Sequence, residues 1–242
     1  MVAAELPSFP AVGTLLGIWA HPDDEAYLSS GLMAAARQRG DRVVVVTATR
    51  GELGTDDPER WPPDRLAAHR ERELEASLGI VGVDEHHWLG YADGELSGVP
   101  LADGATDLVP FLERLRPDTI VTFGAEGMTG HGDHRAISAW VTEAWHRTER
   151  RAALWYATLT PEFHAEWGAL NESVGLWPEG SRPPSTPREH LVAHLSLSHD
   201  LLAIKHRALQ AHASQTRPLE EKVGPERYRA WWSSESFVAA AS

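Results

Sequence analysis

Residues 14–25, TLLGIWAHPDDE, decide the fold, because a run of apolar residues there ends in one histidine and three acids. An apolar run of this length is typical of a strand that is buried on both faces of a parallel sheet. The polar cluster follows this strand at once, and open α/β sheets bind their ligands just beyond the carboxyl ends of the strands. The sequence therefore predicts a functional loop at the end of the first strand.

Strand-like and helix-like segments alternate over the first 160 residues. The run VVVVTAT at residues 43–49 is β-branched almost throughout, as is typical of a buried parallel strand. We predict strands at residues 14–20, 43–49, 86–89, 119–123 and 153–160, and helices at residues 26–39, 64–78, 106–115, 131–147 and 201–213. This alternation indicates βαβ units with right-handed crossovers. The predicted fold class is therefore α/β, a Rossmann-like three-layer sandwich with a mostly parallel central sheet.

The length of the chain and one change in its composition set the expected domain organisation. A chain of 242 residues has room for one large domain, so we predict a single domain over residues 1–242. Residues 165–190 are rich in Gly, Pro, Ser and Trp and predict a long irregular loop. Such a loop is either a lid over a binding site or a variable insertion.

Composition excludes several kinds of function. The chain has no cysteine, so any metal site must be built from its 13 histidines and its carboxylates. Its net charge of −13 opposes contact with a phosphate backbone, and we expect no nucleic-acid partner. The first residues do not have the pattern of a signal peptide, and the apolar runs are far shorter than the ~20 residues of a membrane helix. We therefore expect a cytoplasmic protein with no membrane partner.

A second polar cluster, TGHGDH at residues 129–134, follows the predicted strand 119–123. His131 and His134 are three residues apart, so they share a face on the first turn of a helix. Two histidines and a carboxylate are a standard ligand set for catalytic zinc. Either cluster alone also fits side chains that cap helices or bind within turns. Spacing does not decide which residues bind the metal and which perform the chemistry.

Several motifs make the chain resemble the PIG-L/LmbE-like zinc deacetylases, a family that removes acyl groups from N-acetylglucosamine-type amides. The motifs are AHPDDE (20–25), TRGELG (49–54), RxxExxAxxG (70–79), DGEL (93–96), TGHGDHRA (129–136) and KHRALQAHASQ (205–215). AHPDDE paired with a late HxDH is a specific signature, and the motifs span most of the chain. Gly132 stands where the family usually has proline, a change that removes no functional group. The resemblance implies an LmbE-like deacetylase architecture.

The resemblance also implies a division of roles among the polar residues. The residues that match the family's zinc ligands are His21, Asp24 and His134. Another divalent ion is compatible with such a nitrogen and oxygen site. Asp23 matches the general base that activates the attacking water, since a carboxylate bound to the metal is itself a poor base. His131 matches the histidine that stabilises the oxyanion and protonates the leaving amine, and Asp133 is expected to orient His131.

Three further residues match positions at which the family faces its sugar: Glu52, Arg70 and Asp93. Each has a simpler interpretation. Glu52 also fits a solvated loop acid, and Asp93 fits the first position of an Asp-Gly turn. Arg70 also fits an ion pair with Glu71 or Glu73 on its own helix.

Other polar and aromatic residues are expected to have mainly structural roles. Glu25 is expected to support the site rather than to react. His212 fits a packed or capping histidine better than a residue that approaches the metal pocket from the last helix. Four tryptophans are weak candidates for a pocket, because tryptophan is also a good core residue: Trp167, Trp177, Trp231 and Trp232.

The predicted function is that of a zinc-dependent hydrolase which removes the acetyl or acyl group from an N-acetylglucosamine-type sugar or glycoconjugate. The expected partner is a small amino-sugar substrate, and the resemblance also implies that the protein forms a homo-oligomer. Three alternatives remain open: an amidase that cleaves a thiol–sugar conjugate, a metal-dependent phosphoesterase, and a non-catalytic sugar-binding module. A phosphoesterase would need more basic residues in its pocket. A binding module has no use for a general base and an oxyanion donor.

Overall fold

A computed structural model describes residues 10–177 and 183–241. The strands are β1 (Leu15–Trp19), β2 (Val43–Thr47), β3 (Glu85–Trp88), β4 (Thr119–Phe123), β5 (Ala153–Thr158), β6 (Ala193–Ser196) and β7 (Ser234–Ala239). The helices are α1 (Asp24–Leu28), α2 (Ser30–Gln38), α3 (Pro63–Val81), α4 (Leu101–Leu115), α5 (Gly132–Arg147), α6 (Pro161–Val174), α7 (His199–Ala211), α8 (Ala213–Val223) and α9 (Pro225–Trp231). Short 3-10 turns lie at Leu96–Gly98 and Arg188–His190.

All seven strands form one sheet in the order β3-β2-β1-β4-β5-β7-β6. Strands β1 to β5 are parallel to one another, whereas β7 runs antiparallel to both β5 and β6. Every residue of β1, β2 and β4 is buried, as their apolar sequences predict for strands covered on both faces. The predicted three-layer α/β fold with a mostly parallel sheet is confirmed.

The connections place two groups of helices on opposite faces of the sheet. From β1 the chain moves outward through β2 to β3, and it then crosses to β4 and β5 on the other side of β1. Right-handed crossovers in these two directions put their helices on opposite faces. Helices α4 and α5 accordingly pack together, and α7 packs on α2 and α3. The strand order reverses between β1 and β4, and a crevice opens there at the carboxyl ends of the strands.

The prediction of an irregular segment at residues 165–190 is wrong for residues 165–174. Helix α6 spans Pro161–Val174, so residues 165–174 are helical. The hydroxyl of Thr160 accepts the N–H of Phe163 at the start of α6, and Gly175, with a φ of 68°, ends the helix. These caps outweigh the cost of Gly168 within the helix. Residues 178–182 of the segment lie outside the described residues.

Other boundaries also differ from the prediction. The helix predicted at residues 26–39 is two helices, because the backbone of Ser29 leaves the helical region with a φ of −149°. Strands β6 and β7 and helices α8 and α9 were not predicted. None of the helices within residues 10–177 and 183–241 is long and apolar enough to cross a membrane.

A buried ion pair ties the end of the chain to the start of α2. The carboxylate of Glu235, in β7, accepts the N–H groups of Gly31 and Leu32, both at 2.8 Å. Nζ of Lys205 lies 2.6 Å from the same carboxylate and also donates to the carbonyl of Tyr27 at 2.6 Å. The side chains of Lys205 and Glu235 are 0% and 1% exposed, so removal of either partner would leave a buried charge without compensation.

Candidate active site

The two polar clusters of the sequence meet at the crevice between β1 and β4. His21 follows β1 directly, and His134 lies on the first turn of α5, which begins after β4. The ring of Phe123, at the end of β4, stacks on the ring of His134 with 4.1 Å between centroids and 10° between planes. Phe123 therefore covers one face of the His134 ring, and the nitrogen atoms at the edge of the ring are the groups that can bind a ligand.

His21 and His134 face each other at the centre of the site. Nε2 of His21 lies 3.0 Å from a carboxylate oxygen of Asp93 and 3.3 Å from one of Asp133, so this nitrogen carries a proton and donates. Nδ1 of His134 lies 3.0 Å from the carbonyl oxygen of Gly127, which can only accept. The remaining nitrogens, Nδ1 of His21 and Nε2 of His134, are 3.1 Å apart, and in the neutral rings both present lone pairs.

Asp24 completes a triangle of acceptors with these two nitrogens. Its carboxylate oxygens lie 3.4 Å from Nε2 of His134 and 3.7 Å from Nδ1 of His21. Ligand bonds of about 2.0–2.1 Å in a tetrahedral zinc site place the ligand atoms about 3.3 Å apart. With both rings neutral, acceptors crowded in this way in a buried position repel one another unless a cation compensates them, either a proton on His21 or a metal ion. The three side chains therefore fit a divalent metal.

Electrostatics at the two histidines also favour a cation. Burial by itself lowers the pKa of the His21 ring, but hydrogen bonds to Asp133 and Asp93 and the charge of Asp24 outweigh it and raise the pKa to about 10. The same negative field that attracts a proton attracts a metal ion. Burial holds the pKa of His134 well below its ordinary value, so this ring stays neutral.

Two groups of three residues bring one ligand atom each within 4.8 Å of one another: His21, His131 and His134, and His21, Asp93 and Asp133. Asp24 belongs to neither group, and it contacts His21 and His134 through different oxygens. The acids of the second group are held by backbone N–H groups. An oxygen of Asp93 accepts from Leu53 at 2.9 Å, and the oxygens of Asp133 accept from Gly94 and Leu96 at 2.7 and 3.1 Å. Acids fixed in this way orient the ring of His21, as carboxylates behind metal-bound histidines commonly do.

Asp23 lies next to Asp24 in a backbone conformation that few residues adopt. Its φ of 97° is in the left-handed region, and its N–H donates to the carboxylate of Glu25 at 3.0 Å. Burial raises the pKa of the Asp23 carboxyl to about 6, against the opposing charge of Arg70 at 3.3 Å. A carboxyl group with a pKa near neutrality is well suited to accept a proton from water.

Arg70 supports the loop that carries Asp23. Its side chain is buried, and it donates to the carbonyl oxygens of Gly51, at 2.7 Å, and of Pro22. A β-carbon on Gly51, whose φ is 64°, would lie 2.0 Å from Nη1 of Arg70, so glycine is required there. The two acids considered as alternative partners bind other side chains: Glu71 and Glu73. Contact of Arg70 with a sugar stays a prediction.

His131 is exposed and is the N-cap of α5. Its Nδ1 accepts the backbone N–H of Asp133 at 3.2 Å, so the proton of the neutral ring lies on Nε2. Asp133, which is expected to orient or tune His131, contacts it through its backbone rather than through its carboxylate. That carboxylate is taken up by His21 and two backbone N–H groups, and the backbone N–H of Asp133 contacts His131 instead.

Of the predicted sugar-facing residues, Asp93 lines the cavity and Glu52 lies behind it. Oε1 of Glu52 accepts the N–H of Asp93 at 3.0 Å, and Oε2 is a buried oxygen without a hydrogen-bond partner among the described residues. Within the described part of the chain, Glu52 does not line the cavity. Its contact positions the turn at Asp93, whose pKa is about 2 because the His21 interaction outweighs burial.

Glu25 and His212 form a buried pair behind Asp23. Nε2 of His212 lies 2.8 Å from Oε1 of Glu25, and the hydroxyl of Ser77 donates to the same oxygen at 3.1 Å. Despite burial, this contact lowers the pKa of Glu25 and raises that of His212. The supporting role expected of Glu25 thus has a geometric basis. The sequence contains no pattern that pairs residue 25 with residue 212.

The candidate site opens into a cavity of about 490 Å³. It is lined by His21, Asp23, Asp24, Arg70, Asp93, His131 and His134 together with Tyr27, Gln215 and a series of apolar side chains. Of the four tryptophans singled out from the sequence, two line the cavity: Trp177 and Trp232. The apolar lining could not be recognised from the sequence, because leucine and phenylalanine are equally typical of a protein core.

The fold and the site together define an α/β protein with a cluster of His and carboxylate side chains at its switch point that could hold a metal, and with the carboxylate of Asp23 beside it. The model of the family described as GlcNAc-PI de-N-acetylase (PIG-L) matches residues 16–145, more than half of the chain. The protein belongs to this family, as its motifs predicted.

Three known proteins are similar to this chain in sequence or in structure. The 1D-myo-inositol 2-acetamido-2-deoxy-alpha-D-glucopyranoside deacetylase of Nocardia farcinica is 32% identical over 241 residues, which cover 85% of this chain and 81% of that protein. The N,N'-diacetylchitobiose deacetylase of Pyrococcus horikoshii has a TM-score of 0.68 and 24% identity, over 95% of this chain and 84% of that chain. GalB, a 4-carboxy-2-hydroxymuconate hydratase from Pseudomonas putida, has a TM-score of 0.64 and 16% identity, over 95% and 97%. The last two show the fold alone, and a hydratase among them means that the fold does not determine the reaction.

Proposed function

We propose that the protein is a zinc-dependent hydrolase that removes the acetyl or acyl group from the nitrogen of an N-acetylglucosamine-type sugar or glycoconjugate, and that it acts as a single catalytic domain. The observation that carries the proposal is the triangle of acceptors made by His21, Asp24 and His134, with the carboxylate of Asp23 beside it. The family of the chain and its deacetylase relative in Nocardia farcinica support a sugar amide as substrate.

Each polar residue of the site has a task in amide hydrolysis. His21, Asp24 and His134 would hold the metal, which polarises the amide carbonyl and makes a nearby water more acidic. Asp23 accepts a proton from the attacking water, whose oxygen bonds to the carbonyl carbon. Nε2–H of His131 donates to the carbonyl oxygen as negative charge develops there. The C–N bond breaks as the amine nitrogen takes the proton that Asp23 removed from water, passed on directly or by way of His131, and the acyl group leaves as a carboxylic acid that ionises in water.

The alternative functions are less well supported. An amidase that acts on a thiol–sugar conjugate would use the same residues, and no contact in the cavity favours it over a deacetylase. A phosphoesterase needs positive charge around its substrate. Among the described residues that line the cavity, Arg70 is the single lysine or arginine, and its guanidinium binds two backbone carbonyls and Asp23. A binding module would not require the general base that Asp23 provides.

The proposal is tested by acetate release from N-acetylglucosamine, N,N'-diacetylchitobiose and N-acetylglucosaminyl-inositol, with the zinc-loaded protein and with a chelated control. We expect acetate release by the zinc-loaded protein and none by the chelated protein. Asp23→Asn should retain zinc but lose a factor of about 10²–10⁴ in kcat. Asp200→Asn, at a side chain that is 93% exposed, is the matched control and should keep full activity. Turnover that survives both complete chelation and Asp23→Asn would show that the proposal is wrong.

A further inference from the structure

The cavity at the candidate site has a polar side and an apolar side. Arg70 from α3, Asp93 after β3 and Gln215 from α8 supply the polar groups on the side of β2 and β3, where Leu53 and Leu219 also line the cavity. On the side of β4 and β5 the lining is apolar, and we call it the apolar wall: Met128, Leu159, Phe163, Leu176, Trp177 and Trp232. The metal cluster lies between the two sides, at the ends of β1 and β4.

The apolar wall is held in place by its own hydrogen bonds. The indole N–H of Trp177 donates to the carbonyl oxygen of Met128 at 2.9 Å, which joins the segment after α6 to the loop after β4. The carbonyl oxygen of Leu159 accepts the N–H of Thr186 at 2.8 Å, and Phe163 is 9% exposed on α6. The wall is therefore a preformed surface, and a ligand that binds there loses little ordering entropy.

The wall begins at the metal cluster itself. Phe123 also lines the cavity and stacks on the ring of His134, and His134 is bonded to the carbonyl of Gly127, next to Met128 in the chain. A group that contacts the wall must therefore lie immediately beside the bond that is cleaved. A two-carbon acetyl group is too small to cover a wall of six large side chains.

The remainder of the substrate has space on the opposite side. A second cavity of about 580 Å³ adjoins the first and shares Leu53, Gly54 and Gln215 with it. Its lining adds mainly polar residues, together with one aromatic ring and two apolar residues: Thr55, Asp56, Asp57, Arg60, Trp61, Ser214, Leu66 and Pro218. Hydroxyl groups of a sugar find hydrogen-bond partners there. A substrate whose sugar lies toward β2 and β3 would direct its acyl group toward β4 and β5.

We propose that the enzyme prefers N-acyl amino sugars whose acyl group is an aliphatic chain of several carbons, longer than acetyl, and that this chain lies along the apolar wall. The inference rests on the proposed function and names its substrate class. The reaction stays a hydrolysis: water adds to the carbonyl carbon, the C–N bond breaks, and the products are a fatty carboxylate and a free amino sugar.

The test is a series of N-acetyl-, N-butanoyl-, N-hexanoyl- and N-octanoylglucosamine with the zinc-loaded protein. Each buried methylene should raise kcat/KM by up to about fourfold until the wall is covered. In Trp177→Ala the ratio of the octanoyl to the acetyl kcat/KM should fall by about tenfold. Trp167→Ala is the matched control, because Trp167 lies on α6 and is not among the lining residues, and this ratio should stay unchanged.

Two results would overturn the proposal while leaving the proposed function intact: a kcat/KM that falls as the acyl chain grows, or a gain seen with octyl N-acetylglucosaminide instead of the longer acyl chains. If no amide in the series is hydrolysed, the proposed function is wrong. The proposed acyl site is then tested separately by measuring the affinity of the protein for N-acylglucosamines. Calorimetric titration of zinc-loaded Asp23→Asn should then show N-octanoylglucosamine binding at least tenfold more tightly than N-acetylglucosamine. Equal affinities would contradict the apolar wall as an acyl site.

Discussion

The carboxylate of Glu25 accepts the backbone N–H of Asp23 at 3.0 Å. Asp23 has a φ of 97°, a conformation that costs energy in a residue with a β-carbon. The carboxylate that holds it is in turn held by His212 and Ser77 in the core. The position of the proposed general base therefore depends on an ion pair that never touches the substrate.

Replacement of Glu25 should show how much this ion pair contributes. Glu25→Gln keeps an oxygen for the N–H of Asp23 but removes the charge that faces His212, and should lower the free energy of unfolding by about 3–5 kcal/mol near pH 6. The measurement is chemical denaturation. Asp200→Asn removes an exposed acid that also faces a histidine, and should change the free energy of unfolding by less than about 0.5 kcal/mol.

The pH dependence of this effect has a definite sign. Because the pKa of Glu25 is lowered in the folded protein, its contribution is present above its ordinary value of 4.5 and is lost as pH falls through the folded pKa. Because the pKa of His212 is raised, its contribution is present below 6.5 and is lost as pH rises through the folded pKa. The difference between wild type and Glu25→Gln should therefore be largest between these values. A difference that grows steadily toward pH 9 would contradict the ion pair.

The rate of hydrolysis should fall in acid as Asp23 takes up a proton. Its pKa of about 6 predicts an acidic limb of kcat/KM near pH 6. Since the charge of Arg70 lowers this pKa, Arg70→Met should move the limb upward by about 1 pH unit or more. It should also lower stability by about 1–3 kcal/mol for each backbone carbonyl left unpaired. Arg70→Lys retains the positive charge and should keep the limb closer to pH 6; equal limbs in both variants would exclude the coupling.

Gly51 should not tolerate a side chain, because a β-carbon there would contact Arg70. A comparison with Gly40 separates the effect of this contact from the effect of backbone strain. In Gly51→Ala the new β-carbon would lie 2.0 Å from the guanidinium of Arg70, so Arg70 must move and the Asp23 loop loses its support. We expect lower stability and a kcat reduced by about tenfold or more. Gly40 has a similar positive φ of 87° with nothing within 4 Å of its β-carbon position. Gly40→Ala should therefore lose stability alone, and an equal loss of kcat in both variants would refute the contact.

Metal removal should lower both activity and thermal stability. A ligand bound at 100 times its dissociation constant stabilises the folded state by about 2.7 kcal/mol, so chelation should lower the Tm and added zinc should restore it. In His134→Ala, zinc should no longer raise the Tm. His199→Ala, at a side chain that is 85% exposed, is the control and should respond as wild type does. A Tm that zinc raises equally in His134→Ala would place the metal elsewhere.

Much of the fold could be predicted because its central strands carry the information locally. Strands β1, β2 and β4 are buried on both faces, so their sequences are continuous apolar runs. Strands β6 and β7 are different: AHLS in β6 alternates between apolar and polar residues, SESFVA in β7 begins with three polar residues, and the two strands pair antiparallel with each other. Their place in the sheet is set by tertiary pairing. Helix α6 was missed because Gly, Ser and Trp near it outweighed its Thr160-Pro161 start.

The site was predictable to the extent that its residues are close in the sequence. Both polar clusters were found from their positions after strands, whereas the ligand set came from the family resemblance. The contact between His21 and Asp133 joins residues 112 positions apart, and that between Glu25 and His212 joins residues 187 apart. No periodic pattern in the sequence indicates contacts between residues so far apart. This is why the sequence did not indicate that the carboxylate of Asp133 binds His21.

The hydrogen bonds from Gly31 and Leu32 to Glu235 have a consequence for synthesis on the ribosome. The start of α2 follows the short helix α1, which begins at Asp24 next to Asp23, and its first N–H groups bind a strand about two hundred residues later in the chain. A nascent chain can pair β1, β2 and β3 early, yet its catalytic loop stays without this anchor until residue 235 has emerged. The enzyme therefore gains its working geometry late in translation, and a product shortened before β7 would keep most of its core residues but lack an ordered site.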